Sequence, residues 1–203
     1  YWNRCPAARS FTDFLLYVSF FPQLVAGPIL RAQEFLPQLD RPVRMRLPDL
    51  THGLVWILVG LGKKVLIADS IGARADDLFA AQVYCDFSGY TVIARGSGRM
   101  LGYRLPGNFQ RPYAAPDPGA FWRRWHITLS FWLRDYIFFP LGRLRRGTAW
   151  ALTSLWITMV LAGLWHGAAW TFVLWGAYHG SLLVGHRLWA GFAQGRPALA
   201  ALR

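Results

Sequence analysis

Two histidines lie in tryptophan-rich, otherwise apolar segments of the chain. His126 follows Trp125 in the segment FWRRWHITLS, and His166 follows Trp165 in the segment LWHG. An ionisable side chain is costly to bury in a membrane, so such residues are candidates for a functional site. Histidine can also accept and donate a proton near neutral pH. We therefore predict that His166 and His126 are the catalytic residues.

The neighbours of His126 suggest a polar cavity wall. Ser130 lies four residues further on, a spacing that would place both side chains on one face of a helix, with Arg123 close to the same face. In this interpretation Ser130 and Trp125 contact the substrate. The alternative is a histidine with a purely structural role, and the spacing by itself favours that alternative.

The neighbours of His166 suggest room for a substrate. Gly167 is small, whereas Trp165 supplies a rigid wall that we predict to contact the substrate. Gly163 and Gly167 are also four residues apart, which is typical of a notch for helix packing. His179 has a similar setting, but on a continuous helix it would turn well away from the face of His166, so we predict a structural role for it.

Asp86 is a further candidate for substrate binding. It precedes an apolar segment, where a carboxylate can orient a partner or, as the favoured alternative, cap the N-terminus of a helix. Cys5 and Cys85 make neither a disulfide framework nor a metal set. The sequence has no His-Glu-x-x-His motif, so we expect no bound metal.

The composition indicates a membrane protein. Of the 203 residues, 54% are hydrophobic and only 16% are charged, whereas soluble domains average about 25% charged residues. Residues 147–186 carry no Asp, Glu, Lys or Arg. A helix of that length would span about 60 Å, twice the thickness of a bilayer core of about 30 Å. We therefore predict two crossings with a turn near His166.

The net charge of +12 fits the same interpretation. Arginines cluster where apolar runs end, as in cytoplasmic loops of membrane proteins. Nucleic-acid-binding proteins instead carry their basic residues on a solvated face, so we expect no nucleic-acid partner. The clusters are Arg41, Arg44 and Arg46; Arg143, Arg145 and Arg146; and Arg187 and Arg196.

The apolar periodicity and the Gly and Pro residues predict an all-α, polytopic bundle with re-entrant or interfacial helices. We expect one helical unit over residues 1–203. Gly98 and Gly102 form a small-xxx-small pair for helix packing. The predicted segments are a helix over 11–25 ended by Ala26-Gly27-Pro28, an interfacial segment to Pro37, helices over 50–68 and 83–101, an extended connector over 106–118 and a helix over 119–139.

Several segments, in this order, resemble the membrane-bound O-acyltransferase family, in its bacterial alginate O-acetyltransferase-like branch. The resemblance covers about residues 11–189. The segments are FFPQLVAGPI (20–29), GKKV (62–65), DFSGY (86–90), LPGNF (105–109) with RPY (111–113), residues 121–142, and LWHG (164–167) continuing to Gly180.

The resemblance implies a bundle of helices around a tunnel, in the bacterial inner membrane and crossing it several times. It implies that His166 is the principal catalytic histidine and His126 the second. The implied donor is a cytoplasmic acetyl thioester, usually acetyl-CoA, with no bound cofactor. The implied acceptor is an exported or cell-wall polysaccharide, alginate-like, reached directly or through a periplasmic acetyltransferase- or esterase-like partner.

The chain also departs from the family pattern. Full family members are longer, so we expect a core fragment without the early helices and the C-terminal part. The connection over 79–82 is short, Thr91-Val92 replaces the usual Ser-Asp, and Arg95 takes an ordinarily apolar position. Two other functions stay open: a non-enzymatic scaffold or conduit subunit of a polysaccharide-modification complex, and a fatty-acyl transferase acting on lipids.

Overall fold

The computed structural model describes residues 8–24, 27–41, 45–72 and 75–194. The described residues form helices and connecting segments without a strand, which confirms the all-α prediction for this part of the chain. Contacts group the chain into two compact units, Tyr1–Phe109 and Gln110–Arg203. The pair Val25-Ala26, Cys5, Arg44 and Arg196 lie outside the described residues.

The first unit contains two long helices and several short ones. Its elements are α1 (Phe11–Ser19), α2 (Phe21–Leu24), α3 (Ala32–Leu39), α4 (Leu47–Leu61), a π-helix (Gly62–Ala68), α5 (Asp69–Gly72) and α6 (Ala75–Met100). The predicted helix over 50–68 is confirmed, but its last part widens into the π-helix. The predicted helix over 83–101 is confirmed too and begins earlier.

The predicted helix over 11–25 is wrong as a single element, because the backbone turns to an extended conformation at Phe20 between α1 and α2. This break lets Phe20 point into a small core with Leu30, Phe35 and Leu105. The Tyr17 hydroxyl donates a hydrogen bond of 2.8 Å to the carbonyl oxygen of Leu30. Burial of Phe20 and Phe35 therefore overrides the continuous helix predicted over 11–25.

Helices α4 and α6 pack closely through glycines. A Cβ at Gly96 would lie 2.6 Å from the Gly53 carbonyl oxygen, and a Cβ at Gly89 would lie 2.8 Å from that of Gly60. The predicted pair Gly98–Gly102 does not serve this purpose. Gly98 faces Leu105, and Gly102 has a φ of 84° in the turn after α6.

The second unit consists of a broken helical segment and a long helical hairpin. Its elements are a 3₁₀ turn (Pro112–Ala114), α7 (Pro118–Trp122), α8 (Ile127–Leu133), a π-helix (Arg134–Phe138), α9 (Phe139–Leu144), α10 (Thr148–His166) and α11 (Trp170–Gln194). The predicted connector over 106–118 is confirmed as lacking an α-helix before α7, but it is not extended throughout, because it contains the 3₁₀ turn and Arg111 has a left-handed backbone. The predicted continuous helix over 119–139 is wrong, because the chain leaves helical geometry after Trp122 and returns to it at Ile127.

The hairpin of α10 and α11 confirms the predicted turn after His166. Gly163 and Gly176 lie where the two helices are closest, since a Cβ on either would overlap a backbone carbonyl of the other helix. Within the described residues, Thr148–His166 is the one helix whose length and hydropathy suffice to cross a membrane, and 28% of its apolar window is buried. A multi-pass bundle stays a prediction.

Candidate active site

His126 lies in the break between α7 and α8, at the N-cap of α8. Its backbone is left-handed, with φ 41° and ψ 56°, and its side chain is only 4% exposed. Left-handed backbone is uncommon outside glycine and is found preferentially where a functional side chain has to be aimed. The expected shared helical face with Ser130 does not form as predicted, because His126 itself is not helical.

Ser130 and Trp125 belong to the same segment but make local contacts. The Ser130 hydroxyl donates to the Trp125 carbonyl oxygen at 3.3 Å. The indole of Trp125 stacks on Phe121, with ring centroids 5.6 Å apart, and lies 6.0 Å from Tyr113. These contacts account for the local structure, and a role in substrate binding stays a prediction for both residues.

His166 is the last residue of α10, and its side chain is exposed. Three aromatic rings surround the imidazole: Trp165 at 5.1 Å, Trp175 at 5.3 Å and Phe172 at 6.1 Å between centroids. The next residue, Gly167, leaves the helix in an extended conformation. Among the described residues, packing against these rings is the contact that orients the His166 side chain.

The structure brings the two histidine segments together through Trp165. Its indole centroid lies 6.2 Å from that of His126 and 5.1 Å from that of His166. A residue from the break before α8 and residues from the end of α10 therefore share one site within the second unit. Three of the predicted site residues meet here, which sequence spacing alone could not establish.

Burial makes His126 a weak base. Desolvation by burial, with a smaller contribution from the positive charge that His166 can carry, lowers its pKa from the usual 6.5 to about 4. His126 lies outside the candidate membrane span. At neutral pH it is therefore uncharged, with one ring nitrogen protonated and the other not.

The sequence did not identify Trp175, Phe172 or Trp122 as neighbours of the site. The predicted structural role of His179 assumed a continuous helix from His166, whereas the turn between α10 and α11 folds the chain back on itself. The turn brings Trp175 into contact with His166, and the His179 ring, four residues further along α11, lies 4.7 Å from that of Trp175. The predicted turn near His166 was the signal that could have identified these neighbours.

A cavity of about 990 Å³ lies in the same unit, and its lining includes Trp122 and the predicted site residue Ser130 but neither His126 nor His166. The lining is largely apolar and comes from α7, α8, the π-helix Arg134–Phe138, α9, α10 and α11. The Asp117 carboxylate, the Ser130 hydroxyl, Trp122 and several basic groups interrupt the apolar surface. The residues of interest in the lining are Trp122, Arg123, Arg134, His186 and Arg187, with Leu155, Met159 and Leu183 among the apolar ones.

Asp86 lies in the first unit, inside α6 rather than at its N-terminus, so the favoured capping role is wrong. Its carboxylate pairs with Lys64 at 2.7 Å, and Lys64 also donates to Asp69 at 2.5 Å. The ammonium group therefore bridges two carboxylates. Substrate binding by Asp86 stays a prediction.

Comparison with known proteins identifies similar sequences. The model of the membrane-bound O-acyltransferase family matches residues 78–197. The chain is 42% identical over 200 residues to a probable alginate O-acetylase AlgI of Azotobacter vinelandii. The aligned region covers 90% of this chain and 40% of that protein. The chain therefore spans about two fifths of the length of this relative.

Two relatives whose names give other substrates are also similar to this chain. The chain is 40% identical to a peptidoglycan O-acetyltransferase of Helicobacter pylori, over 89% of this chain and 38% of that protein. It is 28% identical to a teichoic acid D-alanyltransferase of Streptococcus thermophilus, over 87% of this chain and 50% of that protein. The names of these three relatives share acyl transfer, to alginate, peptidoglycan or teichoic acid.

Proposed function

The chain belongs to the membrane-bound O-acyltransferase family, and on that premise we propose that it carries the active site of an acetyltransferase for an exported or cell-wall polysaccharide. The observation that supports this most is the convergence of His126 and His166 on Trp165. One of the two imidazoles is exposed and the other is buried. That asymmetry suits two different roles in one reaction.

His166 is the proposed general base. It takes the proton of an acceptor hydroxyl while the hydroxyl oxygen attacks the carbonyl carbon of the thioester. The carbon–sulfur bond then breaks, the new ester remains on the acceptor, and the imidazolium returns the proton to the leaving thiolate. The products are an O-acetyl ester and a free thiol, and no redox step is needed.

His126 is the proposed electrophilic partner. Because its pKa is lowered to about 4 by burial, it is uncharged at neutral pH and can donate one N–H. Such a donor suits the negative charge that develops on the carbonyl oxygen in the transition state, where a single well-placed hydrogen bond is worth about 100- to 1000-fold in rate. Orientation of the acceptor hydroxyl is the alternative role for the same group.

The cavity of about 990 Å³ is the proposed route for the donor. Basic side chains such as Arg187 and His186 suit the phosphates of acetyl-CoA, and the apolar lining suits its uncharged arm. Trp122 lines this cavity and packs on Trp175, which contacts His166. The donor therefore approaches the imidazole along a wall of aromatic rings, which would also limit access of water.

The proposed setting is the bacterial inner membrane, crossed several times by the whole protein. The names of the relatives support transfer to a bacterial polymer, and several of them name alginate. A periplasmic acetyltransferase- or esterase-like partner would complete the transfer to a polysaccharide that lies outside the membrane.

Replacement of His166 tests the proposal. In bacterial membranes containing the protein, His166→Ala should abolish transfer of radiolabelled acetate from acetyl-CoA to the polysaccharide fraction. The amount of inserted protein should not change, because the side chain is exposed. His52→Ala is the control, since His52 is an exposed residue of α4 and should keep full activity.

Two results would contradict the proposal in different ways. Acetylation that survives His166→Ala would instead support a scaffold or conduit that serves another enzyme. Label that appears in the lipid fraction of the wild type, and is lost in His166→Ala, would instead support acyl transfer to lipids.

A further inference from the structure

We propose that His179 and Trp122 are positioning residues that hold the indole of Trp175 against His166 and so orient the imidazole for acyl transfer. The inference rests on the proposed function, since it concerns the same histidine. It assigns a role to a histidine that the sequence argument set aside.

Trp175 is shared by two histidines. Its ring centroid lies 5.3 Å from that of His166 at an interplanar angle of 78°, and 4.7 Å from that of His179 at 61°. Trp175 and His179 are four residues apart on α11, where such pairs are neighbours on one helical face. The face of α11 that carries His179 therefore also carries Trp175, the residue whose ring contacts His166.

Trp122, the last residue of α7, completes this group of rings. Its indole is perpendicular to the His179 ring, with centroids 5.3 Å apart, and lies 5.7 Å from that of Trp175 at 80°. Each of the three rings thus contacts the other two, in the edge-to-face geometry that aromatic pairs prefer. We call Trp122, Trp175 and His179 the aromatic triad.

His166 needs support of this kind. Catalytic histidines are commonly oriented by a carboxylate that accepts a hydrogen bond from the ring. Among the described residues, His166 is instead contacted by aromatic rings, and it is exposed at the very end of α10. Gly167 adds no side chain to fix it. Of the rings across the hairpin turn, that of Trp175 is nearer to the imidazole than that of Phe172. Packing against Trp175 is therefore best placed to hold the imidazole.

His179 itself does not reach the site. Its ring contacts Trp122, Trp175 and Tyr178, and its connection to His166 runs through Trp175. What its position requires is a flat ring of the right size, rather than an ionisable group. This distinguishes a positioning role from a catalytic one.

Two substitutions of His179 separate these roles. His179→Phe keeps a flat ring, whereas His179→Gln keeps hydrogen-bonding capacity without a ring. In the membrane-embedded protein with acetyl-CoA as the donor, we expect His179→Gln to lower kcat about 10- to 100-fold, as for a misplaced catalytic group. KM for acetyl-CoA should stay within twofold, and His179→Phe should keep at least half of the wild-type kcat.

The pH profile and a double substitution give independent measures. Because His179 does not exchange the reacting proton, the midpoint of the profile of kcat for His179→Phe should match that of the wild type. Trp175→Leu should lower kcat as much as His179→Gln does, and the double variant should be no worse than Trp175→Leu alone, since both act through one ring.

Several outcomes would overturn the inference. These are a His179→Phe variant as inactive as His179→Gln, a His179→Gln variant with wild-type kcat, or additive losses in the double variant. Failure of the proposed function is recognised separately, because then the wild type itself would show no transfer above the His166→Ala background. All rates are compared per amount of folded protein, as measured by its thermal transition in detergent.

Discussion

The rings of His126 and Trp165 lie 6.2 Å apart between centroids, although 38 intervening residues separate them in the chain. Trp165 also packs against its neighbour His166. One indole therefore joins a buried imidazole to an exposed one. This relationship creates the site, since neither histidine segment alone supplies both groups.

Loss of the Trp165 ring should impair catalysis more than folding. Trp165→Ala removes the ring that contacts both histidines, so we expect acetyl transfer to fall at least tenfold. The ring is 59% exposed, so the free energy of unfolding should change by only about 0.5 kcal/mol. Initial rates and thermal melting in detergent measure the two effects.

Trp170→Ala is the matched control for this variant, because Trp170 is 80% exposed at the start of α11. It should keep wild-type activity. Equal losses in both variants would show that exposed tryptophans at this end of the hairpin act together, through the membrane or another surface, and not through the histidines.

Stability should depend on pH through His126. The folded protein holds its pKa at about 4 by burial, whereas the unfolded chain has the usual value of about 6.5. The unfolded state therefore binds the proton more readily, and stability falls as the pH drops from 6.5 towards 4. Each unit of pKa difference is worth about 1.4 kcal/mol, so the total loss should be roughly 3 kcal/mol.

His126→Asn should remove most of this pH dependence. Asparagine does not titrate, and it tolerates the left-handed backbone at this position better than most residues. Thermal melting between pH 4 and 7 measures the effect. If the variant and the wild type lose stability in parallel, another group is responsible and His126 is not buried as described.

A side chain at Gly163 should destabilise the protein, because α10 and α11 are in close contact there. A Cβ there would overlap the carbonyl oxygen of Phe172, so Gly163→Ala should destabilise the protein by about 1–3 kcal/mol or more. Gly185→Ala on α11 is the control, because nothing lies within 4 Å of its added Cβ. It should be neutral or stabilising by up to about 1 kcal/mol. The opposite order of melting temperatures would rule out the packing.

The loss of stability on removing the Lys64 ammonium group should be partly compensated by removing one of its two carboxylate partners. Lys64→Met leaves Asp69 and Asp86 as two carboxylates without their shared cation, so it should lower the melting temperature. Asp86→Asn in the same protein should restore part of it by removing one negative charge. Melting of the two single variants and the double variant measures this coupling.

The same variants separate the two interpretations of Asp86. If Asp86→Asn lowers the rate per folded protein while the melting temperature stays at the wild-type value, the carboxylate serves the substrate. If stability alone changes, the ion pair with Lys64 is its whole role.

Local sequence predicted the helical class, the hairpin with its turn after His166, and the two histidines as the residues of interest. These conclusions depend on composition and on periodicity along a continuous segment. The helices and the turn hold for the described residues because a long uncharged run has few alternatives to helices, and because Gly167 ends the first of them. The catalytic role of the two histidines stays a prediction.

Tertiary structure alone decided how those histidines are arranged. No residue type in the segment from Trp122 to Ile127 predicts a helix break, yet α7 ends at Trp122 and the left-handed backbone of His126 precedes α8. Sequence periodicity assumes that a helix continues, so it placed Ser130 on the face of His126 and turned His179 away from His166. The packing of aromatic rings across the hairpin overrides that assumption. It brings Trp165 into contact with His126, and it places Trp175, four residues before His179 on α11, against His166.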